Sequence, residues 1–147
     1  MSQATTLSEL DEPSRVFYVN TIRTLQAAQV PFLVGGAYAF QRYTGVTRHT
    51  KDLDLFVRPG DIERALAALK HAGYATEITF PHWLGKAYSG DNFADLIFKS
   101  GNGVSEVDDT WFAHAVDETV LDVPVKLCPP EEMLWTKMYI MERERFD

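Results

Sequence analysis

At 147 residues, with 46% hydrophobic residues and a net charge of −7, the chain is long enough for one domain with a real core and too acidic to grip duplex nucleic acid by bulk charge. That charge leaves open a small nucleotide, whose phosphates metal and backbone can handle, and RNA held on a local basic patch. No run is long and apolar enough to cross a membrane, the opening MSQATTLSELDEPS lacks the basic region and apolar core of a signal peptide, and the single Cys128 leaves no intrachain disulfide framework, which together predict a cytoplasmic protein.

Asp11-Glu12-Pro13 opens a helix. Tyr18, Ile22 and Leu25 recur at helical spacing and carry it to about Ala28. Val30 to Val34 reads as the first strand. After Gly35-Gly36, residues Ala37 to Tyr43 predict a short helix closed by Gly45. Val46 to Lys51 is a polar connection, and Leu53 to Val57 the second strand. Arg58-Pro59-Gly60 has turn chemistry, with Asp61 as the N-cap of the next helix. Ile62, Leu66 and Leu69 set that helix's apolar stripe and Gly73 ends it.

Ala75 to Phe80, Lys86 to Ser89 and Phe93 to Phe98 read as strands. Ser100-Gly101-Asn102-Gly103 is a turn, and Ser105 to Ala115 a short helix or loop. Val123 to Leu127 is a strand, and Pro129-Pro130-Glu131-Glu132 opens a last helix with acids in its first turn. The alternation predicts an α/β (α+β) fold, a mixed sheet flanked by helices that start at Pro13, Asp61 and Pro130. Residues 1–147 are expected to form one domain.

The chemistry concentrates in Phe32 to Val57. Side chains alternate on a strand, so Asp52 and Asp54 share one face while Leu53 and Leu55 take the other. Two like charges side by side are costly unless a cation lies between them. A hard divalent cation suits two carboxylates together with substrate phosphates. The glycines ahead of a helix let backbone N–H groups approach an anion. A third carboxylate, Asp95, sits inside the apolar run FADLIF. Its plainer reading is a buried acid paired with Arg48 or Lys86. Asp91, Asp108 and Asp109 lie outside apolar strand patterns and read as solvated; Lys86 and Tyr88 read as lying outside the site.

Gly35-Gly36 followed by Asp52-x-Asp54 resembles the polymerase-β-like nucleotidyltransferase superfamily. The fuller run Arg48-x-Thr50-x-Asp52-x-Asp54-Leu55 is similar to its small bacterial branch. That branch holds lincosamide- and aminoglycoside-type nucleotidyltransferases and the nucleotidyltransferase toxins of abortive-infection and toxin–antitoxin systems. The run from Lys137 to Arg145, beside the stripe of Leu134, Met138 and Met141, resembles a further element of the family. The chain stops where relatives continue helical, so its C-terminal helix is either a minimal version or truncated.

The resemblance implies a transferase that moves a nucleoside monophosphate from an NTP to a hydroxyl. It implies two Mg²⁺ (or Mn²⁺) ions on Asp52 and Asp54, with Asp95 sharing one and helping to deprotonate the acceptor. Gly35 and Gly36 would steady the β- and γ-phosphates, and Lys137 would lie near them. Arg48 and Thr50 orient the site or touch phosphate, or else brace the loop. The acceptor is unnamed: an antibiotic hydroxyl, a protein side chain or a tRNA end. Two other readings stand beside this one, a non-catalytic nucleotide- or partner-binding module of the same fold, and a metal-dependent phosphohydrolase.

Overall fold

The computed structural model describes residues 10–45, 53–81, 83–99 and 106–129. Helix α1 (Glu12–Ala27) starts where Asp11 accepts a hydrogen bond from the Ser14 N–H at 2.8 Å, with Pro13 in the first turn. Its inner face carries Phe17, Tyr18, Thr21, Ile22 and Leu25. The strand expected over Val30–Val34 shrinks to β1 (Leu33–Val34). The Val30 N–H turns back to the Leu25 carbonyl at 3.0 Å, and Pro31 has no N–H to give a neighbour. Helix α2 (Gly36–Thr44) follows and ends on Gly45 at φ 72°, as its C-terminal glycine predicts.

Next come β2 (Leu53–Phe56), a 3₁₀ turn (Pro59–Asp61), and α3 (Ile62–His71), then β3 (Ala75–Phe80), β4 (Leu84–Ser89) and β5 (Asn92–Ile97). A short helix, α4 (Asp109–Ala113), is capped by Asp108. The described chain closes on the hairpin of β6 (Val116–Val120) and β7 (Val123–Leu127). The last helix, expected from Pro130, lies outside the described residues. No helix among the described residues is long and apolar enough to cross a membrane.

The seven described strands form one mixed sheet in the order β3-β4-β5-β2-β1-β7-β6. β2 runs parallel to β5 and β1 parallel to β7; the other neighbours are antiparallel. Leu53, Leu55, Ala94, Leu96 and Ala87 are buried on the sheet face that α1 and α3 cover. Gly85 belongs to that face too, because a Cβ there would come within 3.3 Å of the Leu66 side chain. The opposite face carries Asp54, Phe56, Asp95 and Lys86. Trp111 of α4 covers its Phe56 end, with ring centroids 5.5 Å apart.

Strand β6 has no counterpart in the sequence reading. It alternates as Val-Asp-Glu-Thr-Val, and its hairpin turn uses Leu121 and Asp122 at φ 51° and 67°. Positive φ at both central residues is the hairpin requirement that Asn-Gly normally advertises. Asp61 also departs from expectation. It makes no capping hydrogen bond, and its carboxylate takes Arg58 at 2.9 Å and Arg64 at 3.0 Å instead. Arg58 reaches on to Asp109 at 2.7 Å, tying the exit of β2 to α4.

Burial pushes the Asp61 carboxyl up, but the hydrogen bonds from Arg64 and Arg58 together outweigh it and leave it below its ordinary value of 3.8. The ion pairs therefore contribute above that pH, and the contribution disappears as pH falls through the lower folded value. Asp61→Asn is expected to cost about 0.5–1 kcal/mol at neutral pH. Urea unfolding of both proteins should show that difference closing in acid, once the wild-type carboxyl is protonated.

Candidate functional site

The site begins with backbone. The Gly35 N–H donates to the Asp54 carbonyl at 2.9 Å, and the Val34 carbonyl accepts from the Cys128 N–H at 3.0 Å. The end of β1 is thus held on both sides. Gly36 then turns at φ 59°, in the left-handed region, to start α2. Both glycines lie against β2. A Cβ on Gly35 would overlap the Phe56 ring; one on Gly36 would overlap Asp54 Oδ2 and come within 3.0 Å of its Cγ. The pair is required by close approach, and the residue that Gly36 makes room for is the Asp54 carboxylate.

Asp54 stands in register with Asp95 across the parallel β2–β5 pair. Neighbouring strands run about 4.8 Å apart and in-register residues point to the same face. The two carboxylates therefore lie side by side, both half-buried. Among the described residues no group of three or more metal-ligating side chains occurs. Asp52, Arg48, Thr50 and Lys137 lie outside the described residues. Of the expected site residues, Gly35, Gly36, Asp54 and Asp95 are brought together.

Asp95 has the partner that its plainer reading gave it, Lys86. It is in register with Asp95 across the antiparallel β4–β5 pair, and its Nζ lies 3.4 Å from Asp95 Oδ1. The same ammonium stands 4.3 Å from the centroid of the Phe93 ring, a cation–π distance. The signal that could have placed it is Ser89-Gly90-Asp91-Asn92. Gly-Asp at a two-residue turn predicts a hairpin, and the hairpin sets Lys86 opposite Asp95. Tyr88 points its hydroxyl at Glu77 on β3. The Glu77 carboxylate, with burial in support, holds the phenol above its ordinary pKa of 10.0.

The rival acids have other tasks. Asp91 is exposed in the β4–β5 turn, Asp108 caps α4, and Asp109 pairs with Arg58. A groove of about 650 Å³ opens between Gln26, Phe32 and the β6–β7 hairpin. Its charged groups are already paired, Asp117 with Lys126 and Glu118 with Arg42, each at 2.7 Å. It lies at the β7–β6 edge of the sheet, away from the carboxylates on the central strands β5 and β2.

No protein-family model matches the sequence, and no curated protein matches it significantly. Solved structures do. Over 90% of this chain and 74% of its own, the antibiotic-resistance factor ANT(2'')-Ia superposes with a TM-score of 0.67 at 17% identity. The same protein in complex with adenylyl-2''-tobramycin gives 0.64 at 18% identity, over 88% of this chain and 76% of its own. The lincomycin-bound lincosamide antibiotic adenylyltransferase LnuA gives 0.60 at 14% identity, over 86% and 85%. At these identities the likeness is one of architecture. The chain has a nucleotidyltransferase-like fold, the one that its glycine pair and spaced aspartates led us to expect.

Proposed function

We propose that this protein transfers a nucleoside monophosphate from an NTP to a hydroxyl of an acceptor, with Asp52, Asp54 and Asp95 as the carboxylates that hold Mg²⁺ or Mn²⁺. The observation that carries the reading is the in-register pair Asp54–Asp95, both half-buried, with Gly36 packed against the Asp54 carboxylate. Half-buried like charges at this spacing fit a site for hard cations. Bound there, such a cation would polarise the α-phosphate and neutralise the departing pyrophosphate.

The protein's own groups would do the rest. A carboxylate oxygen of Asp95 would take the proton of the acceptor hydroxyl as its oxygen bonds to the α-phosphorus and the bond to pyrophosphate breaks. The Gly35 N–H is already engaged by Asp54, so the amides offered to phosphate are those of the first turn of α2. Arg48, Thr50 and Lys137 complete the proposal as phosphate contacts. The structural neighbours are seen with adenylyl-2''-tobramycin and with lincomycin bound, which makes small hydroxylated compounds the first acceptor class to test, ahead of protein side chains and tRNA ends. Residues 1–147 would act as one domain.

One observation favours the non-catalytic alternative. Asp95 already has a cation partner in Lys86. The two readings part on a single experiment, incubation with each labelled NTP, Mg²⁺ and a cell extract. Transfer of label to a small molecule or macromolecule supports the enzyme. An NTP-dependent rise in melting temperature with no labelled product supports the binding module.

Two variants sharpen the reading. Asp54→Asn should abolish labelling, while its metal-free melting temperature stays level or rises, because a like-charge repulsion is relieved. A large fall in that temperature would point to a structural pairing instead. Gly36→Ala adds a side chain in left-handed backbone, which costs about 1–2 kcal/mol, and pushes the Asp54 carboxylate aside. Its activity should drop by at least about tenfold under conditions where circular dichroism still reports a folded protein.

A further inference from the structure

Four charged residues stand in one row across four strands. Asp54 on β2 is in register with Asp95 on β5, Asp95 with Lys86 on β4, and Lys86 with Glu77 on β3. Register partners share a face, so the row reads carboxylate, carboxylate, ammonium, carboxylate. Lys86 leans toward the carboxylate pair, 3.4 Å from Asp95, and not toward Glu77, whose Oε1 receives the Tyr88 hydroxyl. Lys86 and Asp95 are each less than a quarter exposed, at 23% and 22%. Solvent therefore screens their attraction less than at an open surface pair.

We infer that Lys86 is a positioning residue that holds Asp95 as a stand-in cation before a divalent metal binds, and that it competes with the metal for the same oxygen. The inference rests on the proposed metal site. A Mg²⁺ ligand oxygen lies 2.0–2.1 Å from the ion, and an ammonium 3.4 Å from that oxygen adds charge repulsion to the arriving ion. Metal binding at that oxygen therefore favours withdrawal of Lys86. Its flexible four-carbon stem allows the swing, and Glu77, its other register partner, is the nearest carboxylate in the row to receive it. The competition sets metal affinity. It also gives the metal-free protein a cation beside one acid of the pair.

The test is Mn²⁺ titration without nucleotide, followed by the electron paramagnetic resonance signal of the free ion, together with metal-free melting. Lys86→Met removes the competitor and keeps the stem. Its Mn²⁺ dissociation constant should fall roughly tenfold, its metal-free melting temperature should drop, and Mn²⁺ should raise that temperature by more than in the wild type. Lys86→Arg keeps the charge and grips a carboxylate with a planar fork, so its Mn²⁺ affinity should weaken. This second variant decides the matter if Lys86→Met fails to fold without metal. A lysine that merely supports the sheet predicts the opposite pattern, with affinity unchanged in Lys86→Arg and unchanged or weakened in Lys86→Met. Either result alongside normal wild-type Mn²⁺ binding overturns the inference and leaves the proposed function standing. If neither the wild type nor Lys86→Met binds Mn²⁺, the metal reading falls, and the inference with it.

Discussion

A carboxylate needs room, and at the centre of this sheet the room is made by an absent side chain. Asp54 lies on β2 between two neighbours, with β1 on one side and β5 on the other. The chain leaving β1 crosses so close to Asp54 that only hydrogen fits on Gly36 Cα. One residue earlier, Gly35 clears the Phe56 ring in the same way. The glycine pair thus tracks two successive side chains on one face of β2. It sets how near α2 can come to the acids, and so whether the amides of that helix and the carboxylates can address one ligand.

Electrostatics works against the arrangement. The protein carries a net charge of −7, and its acid pair sits where water is partly excluded. Such a pair persists in a folded protein when something offsets the repulsion. Among the described residues, the Lys86 ammonium at 3.4 Å and its seat over the Phe93 ring provide one offset. The sheet backbone supplies rigidity, since Asp54, Asp95 and Lys86 all project from hydrogen-bonded strands and none from a loop.

Much of this was legible in the sequence because it rests on local pattern. Asp11 and Pro13 mark the start of α1, Ile62, Leu66 and Leu69 the buried stripe of α3, and Gly45 the end of α2. The apolar runs around Asp54 and Asp95 mark β2 and β5, and an acid inside such a run is informative by its cost. What escaped was decided by pairing. β1 is short because Val30 closes the preceding helix. β6 was hidden by its acids and by a turn built on Leu121 and Asp122, with no glycine to announce it. Asp61 had the right position for a cap but found two guanidinium groups that bind it more strongly than an amide does. Lys86 was legible as one of two partners for Asp95, and the hairpin register that sets the two opposite each other decides for it. Arg48, Thr50, Asp52 and Lys137, legible as motif positions, lie outside the described residues.

The parallel pairing of β2 with β5 has a kinetic side. Parallel neighbours cannot be joined by a tight turn, and here α3, β3 and β4 intervene between residues 54 and 95. Contacts of such sequence separation form late, because loop closure costs entropy before the pairing repays it. The hairpin of β4 and β5 is local and can form early, carrying the Lys86–Asp95 pair with it. The two acids would then meet only when the already paired β5 docks beside β2. During synthesis, a nascent chain that ends before β5 would hold the glycine turn and Asp54 but no partner acid. The Asp54–Asp95 pair is thus assembled when β5 docks on β2, with Asp95 arriving already beside its cation.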